Sequence, residues 1–531
     1  MKKIHPFFLS LLSGVLLFAS WPVSPFTFLA FVAWIPLLWI EDTGISRARF
    51  FGWTYLTLFI WNATSTWWML NSTVPGGIAA ILANSLLMCI PWMGFYNVKK
   101  RMGPGMGWLA LVVYWLSFEY IHLTWELSWP WLTMGNVFAT HPNWVQWYEY
   151  TGTSGGTLWV WLVNLLIFQL LRNRVRPAIF NKRTLFWCVC ACLLPAALSY
   201  LLLVRQRPAN RFHPEPGAPN IVIVQPNIDP WDEKFVAGKQ EAQLRKLIQL
   251  SESAIDSNTA LLIWPETAVP VAINEDSMKN AYFMQPVWDF LKKHPDLNLL
   301  TGVEGFRFFS EQNKTVYSQK IPGTSLYAEE YNSAVLLDSD EFQAYHKSKL
   351  VPGVETLPSF LKFMESWFEK FGGTTGGYAR QEERTVLKTY NHTYDIAPAV
   401  CYESIYGAYM ARYIRRGANL IVVITNDGWW GDTPGYKQHE NYARLRAIET
   451  RRWVARSANT GISCFIDPLG EVFDAKPWNT VATIKRAVPA NTVVTFYAKQ
   501  GDIISMIAMV ATILVLVISL VYFIKSKLGR G

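Results

Sequence analysis

Six stretches of this chain, Ile4 to Ile40, Phe50 to Val98, Met102 to Phe118, Tyr150 to Leu171, Thr184 to Val204 and Ile503 to Ile524, contain no Asp, Glu, Lys or Arg. Soluble folds have no use for charge-free runs of this length, whereas a helix crossing a bilayer core needs about 20 apolar residues. Only 16% of the 531 residues are charged, against roughly 25% in soluble domains. A single soluble domain is excluded. Turn signals at Pro22 to Pro25 and Pro75-Gly76-Gly77 split the runs into helices predicted near 6–22, 26–40, 51–70, 78–96, 107–123, 157–171, 185–204 and 503–524. Three regions follow: residues 1–204 as a transmembrane domain of seven helices, 205–502 as a soluble domain, and 503–531 as an eighth membrane helix with a short tail.

The basic residues of the membrane regions fall at Lys2 and Lys3, Arg47 and Arg49, Lys99 to Arg101, Arg172 to Arg183, and Lys525 to Arg530. All lie in loops on one side of the predicted bundle. Loops on the other side, including Thr124 to Gly156, carry no Lys or Arg, so both termini are expected in the cytoplasm. After seven crossings the soluble domain faces outward. Met1 to Trp21 also has the charge and apolar pattern of a signal peptide; cleavage there would leave the rest of the topology unchanged. The formal charge of +9 is no sign of nucleic acid. The membrane regions hold 15 Lys and Arg against 5 acids, while 205–502 holds 33 against 34.

Between Arg205 and Asp502, apolar strands alternate with amphipathic helices. Strands are expected at 220–225, 260–263, 297–302, 333–337, 396–401 and 420–425, and helices near 237–256, 276–294, 404–416 and 437–457, which makes a layered α/β domain. Several strands run straight into polar or reactive residues: Gln225-Pro226-Asn227, Trp264-Pro265-Glu266, Cys401-Tyr402-Glu403 and Asn426-Asp427-Gly428. Strand ends on a common edge are where such sheets place their sites. Cys401 ends a strand and opens a helix, where a helix N-terminus would ease its ionisation. Glu266 is a candidate base and Lys347 a candidate cation. The bland alternative is a core thiol with solvated charges, or a Cys401–Cys464 disulfide in an exported domain. Cys89, Cys188, Cys190 and Cys192 lie in predicted membrane helices without zinc-site spacing, so no metal site is expected.

The ordered set Trp264-Pro265-Glu266, Lys347-Ser348-Lys349-Leu350-Val351-Pro352-Gly353-Val354-Glu355 and Ala399-Val400-Cys401-Tyr402-Glu403 resembles the Glu, Lys, Cys signature of the nitrilase superfamily. With seven membrane helices before that domain and one after it, the whole chain resembles the apolipoprotein N-acyltransferase family. The resemblance implies a nitrilase-like αββα sandwich beside a multi-helix transmembrane bundle. It implies Cys401 as nucleophile, Glu266 as general base and Lys347 as oxyanion stabiliser, with Glu355 orienting them. Trp231, Asn332, Tyr402 and Glu403 match supporting positions, and Asn426 to Gly431 matches a loop bordering the pocket. One departure stands out: Pro352-Gly353-Val354-Glu355 replaces the Pro-Phe-Gly-Glu common in the family, which leaves the local loop geometry open.

The implied reaction moves an acyl chain from a phospholipid through a Cys401 thioester to the α-amine of the N-terminal diacylglyceryl-cysteine of an apolipoprotein, with no cofactor. The implied setting is the bacterial inner membrane, with a monomeric protein whose catalytic domain faces the periplasm. A membrane-tethered nitrilase-type amidohydrolase, in which water replaces the amine, is the alternative. His346 and His439 are expected as surface or core residues rather than catalytic ones, since this chemistry gives the base role to a carboxylate. Apolar residues from Phe360 to Phe371 recur at helical spacing, and read either as core packing or as a lipid-facing lid.

Overall fold

The computed structural model describes residues 4–175, 182–210, 214–364 and 377–528. They form two compact units, one of Met1–Leu70, Val74–Arg205 and Gln500–Gly531, the other of Asn71–Thr73 and Gln206–Lys499.

The first unit is helical. Among the described residues four helices are long and apolar enough to cross a membrane, Val74–Met102, Thr153–Arg172, Lys182–Arg207 and Ile503–Ser526, and Pro6–Ser20 is a shorter apolar one. The run expected as one helix over 26–40 is instead a 3-10 turn, Thr27–Phe31, followed by a helix, Ile35–Asp42. Asn164 explains how the break is tolerated: its Oδ1 accepts from the Trp34 N–H (3.0 Å) and its Nδ2 donates to the Ala30 carbonyl (2.8 Å). Backbone groups released from a helix need such partners when water is absent. Trp34 then stacks on Trp161 with ring centroids 5.2 Å apart and meets Trp61, Trp92 and Trp115 edge-on or tilted. Glu119, the one acid deep in this unit's predicted helices, has both oxygens occupied by neutral donors: Trp115 Nε1, the Met134 N–H and Thr157 Oγ1, each at 2.8 Å.

The second unit is built on two sheets. Strands are β1 (Asn220–Gln225), β2 (Thr259–Ile263), β3 (Val269–Asn274), β4 (Asn298–Phe309), β5 (Gln319–Lys320), β6 (Tyr327–Leu337), β7 (Phe342–His346), β8 (Leu387–Lys388), β9 (Asp395–Val400), β10 (Leu420–Thr425), β11 (Val454–Ala458), β12 (Cys464–Ile466), β13 (Val472–Phe473) and β14 (Ala482–Ala487). The first sheet runs β14-β1-β2-β4-β6-β5, with β3 on β4 and β7 on β6; the second runs β13-β12-β11-β10-β9-β8. Each has a parallel centre, β1-β2-β4 in one and β9-β10-β11 in the other. Both faces of those strands are covered, so they read as continuous runs such as Ile221-Val222-Ile223-Val224 and Leu420 to Ile424, all buried.

The sheets pack on each other through β1 against β11 and β6 against β9, and Ser457 Oγ donates to the Val224 carbonyl at 3.0 Å across the interface. Helices cover the outer faces. Gln240–Ala254 and Gln285–Lys293 bury Leu244, Leu247, Val287, Trp288, Phe290 and Leu291 against the first sheet, each large side chain contributing about 1.5–3 kcal/mol. Gly407–Arg415 and Pro434–Thr450 pack on the second. The result is an αββα sandwich. The helix expected over 437–457 ends at Thr450, because Arg451 takes a left-handed conformation (φ 51°) and Val454 starts β11. The segment expected from 276 to 294 is two 3-10 turns before the helix at Gln285.

Candidate active site

Parallel strands deliver the site. β2 ends before Glu266, β9 before Cys401, β10 before Asn426 and β11 before Asn459, all at C-terminal ends, while β7 leads into Lys347 and β6 carries Asn332. Glu266, Lys347, Asn332 and Cys401 are all buried. Lys347 Nζ lies 3.3 Å from Glu266 Oε1 and 2.7 Å from Glu355 Oε1. Asn332 Nδ2 donates to Glu266 Oε1 at 2.8 Å and lies 3.4 Å from Glu355 Oε1. The Asn426 N–H donates to Glu266 Oε2 at 3.1 Å. Glu266 therefore has no freedom to turn away from the cation. The loop Pro352-Gly353-Val354-Glu355, despite its departure from the family pattern, still places its glutamate: Gly353 turns with φ 79°, and Glu355 Oε2 accepts from the Val351 N–H at 2.8 Å.

Gly302 makes room for Glu266. A Cβ there would lie 2.3 Å from the Thr267 nitrogen and 2.6 Å from the Glu266 Cα, both backbone atoms that cannot swing aside. Gly302→Ala should therefore cost about 1–3 kcal/mol of stability and displace Glu266, lowering the thermal midpoint and the activity together. Wild-type values for both would contradict this reading.

Cys401 opens a five-residue 3-10 turn, Cys401–Ile405, with φ 52°, a left-handed conformation rare for a residue with a side chain. The turn is tied to the lysine loop through Glu403. Its Oε2 accepts from the Val400 N–H (2.9 Å), and its Oε1 accepts from the Ser348 N–H (2.7 Å), the Lys349 N–H (3.1 Å) and the Tyr345 hydroxyl (2.6 Å). Tyr402 is buried and meets Tyr406 edge-on at 5.3 Å. The Cys401 carbonyl accepts from Ser404 Oγ (2.8 Å) and contacts His439 Nε2 (3.1 Å). His439 Nδ1 is 3.0 Å from Asp427 Oδ1, and Arg456 Nη2 holds Asp427 Oδ2 at 2.7 Å. His439 is thus a core residue wedged against the Cys401 backbone.

The electrostatics correct one expectation. Burial, then the nearby Glu266 carboxylate, pushes the Cys401 thiol well above its ordinary range, and Lys347 only partly offsets this. A short 3-10 turn supplies little helix dipole, so the resting thiol is protonated rather than easily ionised. Burial also acts to raise the Glu266 pKa, but Lys347, Asn332 and Lys234 outweigh it and hold the carboxyl below its usual range. Lys347, though buried, is held firmly protonated by Glu266 and Glu355. The site is a protonated thiol beside an ionised carboxylate, Glu266, and a cation, Lys347.

Other expectations fare differently. Cys401 and Cys464 are both free thiols, so no disulfide joins them. Trp231 is not among the buried site groups: its ring is exposed and stands edge-on against Trp429 at 4.8 Å, beside Phe235. Of the segment 360–371, Ser359–Met364 is a 3-10 turn with Phe360 and Phe363 exposed, and 365–371 lie outside the described residues. Lys234 was hidden in sequence, since Asp232-Glu233-Lys234 reads as a solvated charge run. In the fold it is buried, its Nζ donates to the Glu266 carbonyl at 3.0 Å, and desolvation lowers its pKa to about 8.

An αββα sandwich with Glu, Lys and Cys gathered at its strand ends is the carbon–nitrogen hydrolase type, and residues 220–497 match that family. Residues 13–166 match the apolipoprotein N-acyltransferase N-terminal domain. Full-length similarity extends to proteins named apolipoprotein N-acyltransferase: one from Chlorobaculum tepidum, 30% identical over 96% of both chains, and one from Thermotoga maritima, 26% identical over 93% of this chain and 90% of that one. Among solved structures, an amidase of the nitrilase superfamily from Nesterenkonia aligns with 55% of this chain and 98% of its own, at 15% identity and a TM-score of 0.37. The chain belongs to the apolipoprotein N-acyltransferase family.

Proposed function

We propose that this membrane protein moves an acyl chain from a phospholipid, through a thioester on Cys401, to the α-amine of the N-terminal diacylglyceryl-cysteine of apolipoproteins. The observation that carries this reading is the Glu266–Lys347–Glu355 cluster, with Glu266 and Lys347 buried, beside the Cys401 thiol, in a chain whose relatives match it end to end. In the first half-reaction the ester carbonyl approaches the sulfur, Glu266 takes the thiol proton as the C–S bond forms, and the oxyanion is stabilised by Lys347. Collapse breaks the ester C–O bond, and Glu266 returns its proton to the departing lysophospholipid oxygen. In the second, the amine attacks the thioester, Glu266 takes an N–H proton, and that proton restores the thiol as the C–S bond breaks. Glu355 and Asn332 hold the lysine and glutamate in register, Glu403 and Tyr402 hold the turn that carries the sulfur, and exposed Trp231 serves substrate entry.

The amidohydrolase alternative is not favoured by the full-length relatives. Purified protein given phospholipid and a diacylglyceryl-cysteine peptide should yield N-acylated peptide; fatty acid release with unmodified peptide would point to the hydrolase. The pH dependence follows from the direction of the shifts. Glu266 works as a base only when ionised, and its pKa sits below the ordinary 4.5, so acylation should fall only below that value. Lys347 keeps its charge beyond 10.5. An acid limb near neutrality would contradict the assignment of Glu266.

We place the protein in the bacterial inner membrane as a monomer with eight crossings, 1–204 and 503–531 in the bilayer and 205–502 in the periplasm. Supporting this, residues of two different basic loops meet on neighbouring acids, Lys99 on Glu41 and Arg172 on Asp42 at 3.1 Å, and Arg101 lies 4.9 Å over the Phe523 ring of the last helix. An export-dependent reporter fused after Gln206 should be active and one fused after Arg101 silent; the reverse pattern would overturn the topology.

A further inference from the structure

Asn426, directly after β10, is 2% exposed, and the orientation of its side-chain amide follows from its neighbours. Asn459 Oδ1 accepts from the Ile228 N–H at 3.1 Å, and its Nδ2 donates to the Ile228 carbonyl at 2.7 Å, so the Asn459 amide cannot be reversed. The same Nδ2 donates to Asn426 Oδ1 at 3.0 Å. Asn426 is thereby fixed with its oxygen on Asn459 and its NH2 group on the other side. That nitrogen is sealed from solvent and has no hydrogen-bond acceptor among the described residues. Leaving a buried donor unsatisfied is costly, and fixed asparagines elsewhere in the site, such as Asn332 through its Nδ2, have their donors engaged.

Its location gives the vacancy a use. β9 and β10 pair in parallel with Val400 opposite Ile424, so the chain beyond Ile424 runs beside Cys401, and the Asn426 N–H already holds Glu266. Lys347 shares its charge with two carboxylates, which weakens the field it can offer a developing oxyanion.

We propose that Asn426 Nδ2 is a further catalytic donor, hydrogen-bonding the carbonyl oxygen as it becomes an oxyanion in both half-reactions. The donor is unsatisfied at rest and satisfied as charge develops, so its stabilisation is selective for the transition state. This rests on Cys401 being the nucleophile. The test compares two reactions of the same sulfur in the full-length protein in detergent. Iodoacetamide alkylation needs the thiol, Glu266 and access, but forms no oxyanion; acylation by a p-nitrophenyl ester needs all of these and an oxyanion. Asn426→Ala should slow acylation about 10²–10³-fold and change alkylation less than about 3-fold. Asn426→Asp, which keeps an acceptor for Asn459 and removes the donor, should also slow acylation selectively. Parallel loss of both reactions would make Asn426 a positioning residue, and unchanged acylation would remove it from the reaction; either overturns the inference. If the unaltered protein is alkylated at Cys401 but never acylated there, the proposed function fails and the inference with it.

Discussion

Cys401→Ala is expected to leave the chain folded in the membrane and to abolish acyl transfer, because the change removes a single sulfur from a turn held by Glu403 and Ser404 rather than by the thiol. Cys401→Ser should be nearly inactive as well. Burial and Glu266 already make the thiol hard to ionise, and a hydroxyl in the same place is far harder. Glu266→Gln should block thioester formation, since it removes the carboxylate that takes the thiol proton in this mechanism. Lys347→Ala should slow it by about 10²–10³-fold, the effect of removing one oxyanion-stabilising group. Single-turnover acylation read by the release of lysophospholipid checks all four, and wild-type rates in either cysteine variant would remove Cys401 from the mechanism.

The largest stability effect is expected at the ion pair that supports the Cys401 turn. Asp427 and Arg456 are both fully buried at 2.7 Å, and removing one partner leaves an uncompensated charge, costing about 3–5 kcal/mol. Burial alone would raise the Asp427 pKa, but Arg456 and His439 outweigh it and hold it below 3.8. A depressed carboxylate pKa contributes stability above its unfolded value and loses it only as pH falls through the folded one. The full penalty of Asp427→Asn should therefore be present at neutral pH, as a lowered midpoint in thermal unfolding. Because His439 bridges Asp427 to the Cys401 carbonyl, the variant should also lose activity before it unfolds. An unchanged midpoint would mean that the pair is dispensable.

What could be read from the sequence follows from which interactions are local. β1 and β10 were legible because strands buried on both faces have an uninterrupted apolar pattern, and Glu266 and Cys401 because each follows such a run; Lys347 follows the half-exposed β7 and was legible only from its order between the other two. The end of the helix at Thr450 was not legible, since Arg451 in a left-handed conformation has no compositional mark. Nor was the break at Trp34, which depends on Asn164, 130 positions away. Cys401 was expected to ionise easily from its place at a helix start; burial and a facing carboxylate, both tertiary, reverse that. Lys234 looks like a solvated residue in sequence and His439 like a surface or core one, and only the folded chain sets them beside Glu266 and Cys401. Trp231 lies on the surface because Asp229 holds its N–H at 2.7 Å in a loop that carries the ring outward to Trp429.

The central claim is a covalent acyl-enzyme on one cysteine among six, and intact-protein mass spectrometry with peptide mapping tests it most directly. After incubation with a phospholipid of defined chains, the protein should gain the mass of one acyl group, located on Cys401, and lose it when a diacylglyceryl-cysteine peptide is added. No adduct, or an adduct on another residue with Cys401 unmodified, would contradict the account.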